Sequence, residues 1–251
     1  MLLQDKVVIV SGIGPGLGQE LAVLAAREGA AAVVLAARTQ ANLDAVEADI
    51  LALGLATQVV KVPTDIADRA QCEALAARAL ESCGRIDVLF NSAYDPGNFE
   101  PVAEADLDSW RRAMDVNFFG TMQLTQACVP AMIAAGGGAI VNMGSNSWWE
   151  AGGGFPIYAT AKAAVHGLTR TMARDLGPHR IRVNTVVPGW IMTERQKALW
   201  VTPEALQRQR QRQCLPDLIE PVHVARMVVF LASDDAAMCT ANNYMVEAGS
   251  I

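Results

Sequence analysis

Seven short apolar runs, separated by longer helical patterns, leave this chain few folds to choose from. The runs are Lys6–Ser11, Ala32–Ala36, Gln58–Pro63, Val88–Asn91, Gly138–Met143, Arg180–Val187 and Asn243–Val246. Most are apolar at successive positions rather than alternately, as strands are when helices cover both faces of a sheet. Helical periodicity fills the intervals near 17–29, 40–54, 68–83, 104–135, 155–177 and 221–233. Such βαβ alternation implies a parallel, doubly wound sheet with right-handed crossovers. With 251 residues, 52 % apolar and 18 % charged, the chain is expected to be a single α/β domain spanning 1–251. Only 191–216 departs from the alternation. It follows the Pro188-Gly189 break and restarts at Thr202-Pro203, a cap followed by proline at the first helical position. An insertion there would lie beyond the carboxyl ends of the strands, where such sheets bind ligands, so 191–216 is expected to form a substrate lid.

Composition narrows the partners. The net charge is −6 and no basic stripe occurs, so neither nucleic acid nor an anionic membrane surface is an expected partner. The five cysteines are scattered without a CxxC pair, which suits free thiols in a reducing cytoplasm. No signal peptide or membrane-spanning stretch is expected. His166, His179 and His223 lack metal-ligand spacing with one another or with cysteines, and no metal is expected.

Two motifs carry chemistry. The first strand runs into Ser11-Gly12-Ile13-Gly14-Pro15-Gly16-Leu17-Gly18, where a helix begins. Glycines there let the backbone turn tightly, and the N–H groups at the helix start attract the phosphates of a dinucleotide. Further on, Tyr158 and Lys162 stand four apart, on one helical face. Ser145 precedes Tyr158 by thirteen residues, just past an apolar run, and Asn117 lies in Asp115-Val116-Asn117-Phe118-Phe119-Gly120. Oxidising an alcohol by hydride transfer requires a base for the hydroxyl proton. A phenol with an ordinary pKa of about 10 is too weak unless an ammonium or other positive charge stabilises the phenolate.

Together these motifs, in this order, resemble the short-chain dehydrogenase/reductase family across essentially the whole chain. Gly12, Gly16 and Gly18 match its T-G-x3-G-x-G turn, with Ser11 in the threonine's place. The resemblance implies a Rossmann-type sheet of about seven strands with helices on both faces. It implies a catalytic tetrad in which Tyr158 is the acid/base, Lys162 tunes it and holds the nicotinamide ribose, Ser145 binds the substrate oxygen, and Asn117 holds a relay water. It also implies cofactor contacts from Ser11, Gly12, Gly16, Leu17, Gly18, Asp65, Asn91 and Ala93. In the Pro188-Gly189-Trp190-Ile191-Met192-Thr193 segment, Pro188, Gly189, Ile191 and Thr193 would bracket the nicotinamide. Tyr94 departs from the family, which has glycine there. Long Ala-, Met- and Leu-rich helices, which pair across a two-fold axis in the family, imply a homotetramer, with a dimer still open.

Cofactor and substrate rest on fewer residues. The second strand ends in Ala37-Arg38, where NAD-preferring relatives carry an acidic residue. Arg38 suits the 2′-phosphate of NADP(H), although stacking on adenine would admit NAD(H) as well. Asn146, Trp148, Trp149, Tyr94 and Trp190 are the candidate substrate residues, with Glu150 and Asp95 nearby. Tryptophans interspersed with polar groups suit a sugar ring, and equally a bulky ketone. The C-terminal half resembles bacterial aldose 1-dehydrogenases of the D-xylose type; the N-terminal half is closer to other branches. The expectation is therefore a sugar or polyol 1-dehydrogenase. The alternatives are an NADPH-dependent ketone reductase and, from another class, a non-catalytic NAD(P)-binding regulator.

Overall fold

A computed structural model describes residues 1–150 and 152–250. Its strands are β1 (Val7–Ser11), β2 (Ala32–Ala37), β3 (Gln58–Pro63), β4 (Val88–Asn91), β5 (Gly138–Met143), β6 (Ile181–Pro188) and β7 (Asn243–Val246). They form one seven-stranded sheet in the order β3-β2-β1-β4-β5-β6-β7, and all six pairings are parallel. The expected start of β6 moves by one residue because Arg180 is left-handed, with φ 59°, and turns the chain into the strand.

The double apolar patterning follows from what covers each face. Val8 and Val10 of β1, Phe90 of β4 and Val141 of β5 point into a core closed by α1 (Leu17–Arg27), α2 (Gln40–Leu51) and α9 (Pro221–Ala232). Their neighbours Val7, Ile9, Leu89 and Ile140 point the other way, against α3 (Arg69–Cys83), α5 (Thr121–Ala134) and α6 (Pro156–Leu176). Successive strand side chains face opposite sides, so a strand covered twice must be apolar throughout. Asp68 caps α3 by accepting from the backbone of Ala70 and Gln71, and Gly84 ends it in the left-handed conformation.

The expected helix over 104–135 is not uniform. It is α4 (Leu107–Met114), a wide π turn over Asp115–Gly120, and then α5. The 191–216 segment holds two short helices, α7 (Glu194–Leu199) and α8 (Pro203–Arg212), capped by Thr193 and Thr202. Neither helix buries a residue, so they lie on the protein rather than in it. Among the described residues no helix is long and apolar enough to cross a membrane.

Candidate active site

Chain connections leave β1 and β4 toward opposite edges of the sheet, which opens a crevice at their carboxyl ends. The glycine turn lies there. Gly12 has φ +83°, and a Cβ on it would stand 2.4 Å from the backbone nitrogen of Ala93. A Cβ on Gly18 would stand 2.2 Å from the Gly12 carbonyl oxygen. These glycines thus let the turn fold against β4 and against its own helix, a stronger demand than making room for a phosphate. No side chain caps α1, so its first N–H groups remain for an anion. A dinucleotide's pyrophosphate fits this cradle.

Pro156 at the first turn of α6 starts that helix and places Tyr158 near its N-terminus, with Lys162 one turn on. Ser145, two residues past β5, lines the same cleft as the Tyr158 phenol and is near enough to influence it. Lys162 is buried; its Nζ donates to the Met143 carbonyl at 2.8 Å and lies 5.8 Å from the centre of the Tyr158 ring. Burial pushes the phenol up to about 12; the neighbouring Ser145 hydroxyl works against this and Tyr94 adds to it. Burial also brings the Lys162 amine down to about 8. Desolvation dominates, and without further charge the group is a phenol, ready to donate. A bound oxidised nicotinamide would supply the positive charge that favours phenolate and would serve as hydride acceptor.

Asn117 sits buried in the π turn, where an irregular helix turns its amide inward. The amide makes a two-point clamp on the loop after β4: Oδ1 accepts from the Asp95 N–H at 2.9 Å, and Nδ2 donates to the Asp95 carbonyl at 2.6 Å. The side chain thus fixes this loop, and the Asn117 carbonyl accepts from the Thr121 hydroxyl at 3.2 Å.

A cleft of about 650 Å³ runs from the glycine turn past Tyr158 to the helices α7 and α8. Leu17, Gly18, Pro188, Gly189, Ile191 and Thr193 line its inner part. Thr193 also faces the turn, since a Cβ on Gly16 would lie 2.9 Å from its methyl. Tyr94 replaces the family glycine without strain, as its φ is not positive, and its ring meets Tyr158 edge-on at 6.4 Å. Arg38 is exposed at the end of β2 and, among the described residues, makes no ion pair. Asp65 accepts from the Ala67 N–H, which sets the turn after β3.

Some candidates brace the site instead of facing it. The Ser11 hydroxyl is fully buried, donates to the Phe90 carbonyl and accepts from the Ser92 N–H, locking β1 to β4. The Asn91 amide donates to Thr125 and Asn142 beneath the sheet, in a chain of polar contacts that continues through Thr169 to Thr185. Trp148 and Trp149 stand outside the cleft wall, which passes through Ser147 and Glu150. They pack on each other at 4.6 Å and on His166, whose Nε2 accepts from the Trp148 indole at 3.2 Å. The cleft's aromatic wall is instead Tyr94, Phe99, Phe155, Trp190 and Trp200. Phe99 and Phe155 gave no sequence signal, because each is a lone aromatic in an irregular stretch. Phe99 meets Trp200 across the mouth at 5.2 Å, and the Trp190 indole donates to Gln196 at 2.8 Å.

A sequence model of the family described as enoyl-(acyl carrier protein) reductase matches residues 12–250. The chain is similar to D-xylose 1-dehydrogenase of Caulobacter vibrioides, 39 % identical over 98 % of this chain and 96 % of that one. It is also similar to a protein described as a galactose dehydrogenase in Rhizobium meliloti, 35 % identical over 98 % of this chain and 95 % of that one. The solved structure of a 7α-hydroxysteroid dehydrogenase with NADH and 7-oxo glycochenodeoxycholic acid superposes with a TM-score of 0.93, 32 % identity, and coverage of 99 % of this chain and 95 % of that chain. With its parallel sheet, glycine cradle and Ser145–Tyr158–Lys162 cluster, the chain belongs to the short-chain dehydrogenase/reductase family, oxidoreductases that use NAD(P) on CH–OH groups.

Proposed function

We propose that this protein is an NADP(H)-preferring aldose 1-dehydrogenase that oxidises the anomeric hydroxyl of a sugar to a lactone. The observation that carries this reading is the lining of the cleft that holds Ser145 and Tyr158, which combines the indoles of Trp190 and Trp200 with the polar side chains of Asn146, Glu150, Gln196 and Gln209. Aromatic faces stack on the C–H side of a sugar while amides and a carboxylate take its hydroxyls. Similarity to a xylose and a galactose dehydrogenase supports the same substrate class. In the forward step Tyr158 takes the hydroxyl proton, Ser145 holds the oxygen as it becomes a carbonyl, and two electrons leave the carbon as hydride. The lid, 191–216, closes over the sugar.

A second reading, reduction of bulky ketones with NADPH, draws support from exposed Phe99, Leu199 and Trp200 at the cleft mouth. Activity screened with aldoses, polyols and ketones and both cofactors separates the two. Aldose oxidation is expected; turnover confined to apolar ketones would remove the sugar reading.

NADP(H) preference rests on Arg38. Arg38→Asp replaces a guanidinium by a like charge to the 2′-phosphate and should shift the NADP/NAD ratio of kcat/KM toward NAD by about 100-fold. An unchanged ratio contradicts a phosphate role. The pH profile follows from Tyr158. Oxidation needs the phenolate and reduction the phenol, so kcat/KM for oxidation should climb with rising pH, by about tenfold per unit below the apparent pKa. Reduction should fall over the same range, and parallel profiles in both directions would contradict the assignment.

We further infer a homotetramer, since Leu107 and Phe119 on the α4–α5 region are exposed apolar residues that a neighbour could cover. Light scattering tests it. Five unpaired cysteines support a cytoplasmic setting.

A further inference from the structure

The loop after Ser145 places a carboxylate in the cleft wall. Glu150 follows the short 3-10 turn Asn146–Trp148 and lines the cleft on the catalytic side. Its Oε1 is engaged twice. The buried Asn146 amide donates to it in a short hydrogen bond, and the Arg212 guanidinium of α8 lies 3.4 Å from it. Both contacts fall on one oxygen. Among the described residues no donor contacts Oε2, Oε2 is not among the buried unpaired atoms, and the residue lines the cleft. The side chain is therefore oriented from behind, by a residue adjacent to the catalytic serine and by the lid, with a free anionic acceptor on its other side.

We propose that Glu150 is the specificity-determining residue for a neutral polyhydroxylated substrate, with Oε2 accepting a hydrogen bond from a hydroxyl away from the reacting carbon. This inference rests on the sugar reading above. A fixed carboxylate oxygen prefers a hydroxyl donor over an ether or methylene, because without the donor it is left desolvated and unpaired when substrate fills the cleft. It also repels an anion, so sugar acids are disfavoured even where their ring would fit. Arg212 bridges Glu150 to α8, so the acceptor is positioned where lid and catalytic loop meet.

The test compares Glu150→Ala with wild type on three probes: an aldose that the wild type oxidises, its single-deoxy analogues, and the matching uronic acid. Cofactor affinity and thermal unfolding, measured alongside, confirm a folded, cofactor-competent variant. For the aldose, kcat/KM should fall by about 10- to 100-fold, mainly through KM, as expected for loss of a charged hydrogen bond. For one deoxy analogue the fall should be at most about threefold, and the uronic acid should gain relative to the aldose. Equal losses on the aldose and every deoxy analogue, with the uronic acid unmoved, would mean that Glu150 only braces the lid and would overturn the inference. A wild-type enzyme inactive on all aldoses would remove the sugar reading, and this inference with it.

Discussion

Tyr158→Phe should bind NADP(H) almost as wild type does and lose about 1,000-fold or more in kcat, the upper part of what a positioned acid/base contributes. The substitution removes one oxygen from a ring packed edge-on against Tyr94 and leaves that ring contact in place. What disappears is the phenol oxygen beside Ser145, the group proposed to exchange the substrate proton. Cofactor quenching of tryptophan fluorescence and single-turnover rates separate binding from chemistry. Loss of both together would mean that Tyr158 organises the site instead of reacting in it.

Gly12→Ala should have the second large effect, and on the fold itself. The new methyl would stand 2.4 Å from the Ala93 nitrogen and 2.5 Å from its Cα, both backbone atoms, at a φ of +83°. Neither can move away without separating β1 from β4. Overpacking and a left-handed alanine together cost roughly 3 kcal/mol or more, enough to lower Tm by about 10 °C and to abolish cofactor binding. Gly14→Ala is the control. Its Cβ meets only the end of the Asn42 side chain at 3.4 Å, and its φ is not positive, so about 1 kcal/mol or less is expected. Equal stability of the two variants would show that the turn is looser than its geometry implies.

The contrast between these glycines marks what could be read from the sequence. Strands, helices and their alternation were legible because burial on both faces writes apolar residues at every strand position, as in Val7-Val8-Ile9-Val10. Ser145, Tyr158 and Lys162 were legible because chemistry demands those groups at fixed spacing. The π turn was not, since a single wide turn inside a helix leaves the apolar period almost unaltered, yet it turns the Asn117 amide onto Asp95. Substrate residues were the least legible. Trp148 and Trp149 adjoin the catalytic serine in sequence, but a 3-10 turn rotates them onto His166, while Phe99 and Trp200 meet across the cleft mouth from segments about a hundred residues apart. The upward push on the Tyr158 phenol in the protein alone was not legible either. Charge partners show in a sequence, whereas the depth of burial that pushes Tyr158 up to about 12 does not.

The central claim is that Tyr158 and Ser145 serve hydride removal from a sugar's anomeric carbon. The most direct test incubates the purified enzyme with NADP and an aldose deuterated at that carbon, and follows the label by mass spectrometry. Deuterium is expected on the nicotinamide and none on the lactone, with Tyr158→Phe transferring almost no label. An unlabelled nicotinamide with every aldose tried, alongside rapid reduction of apolar ketones by the same preparation, would contradict it.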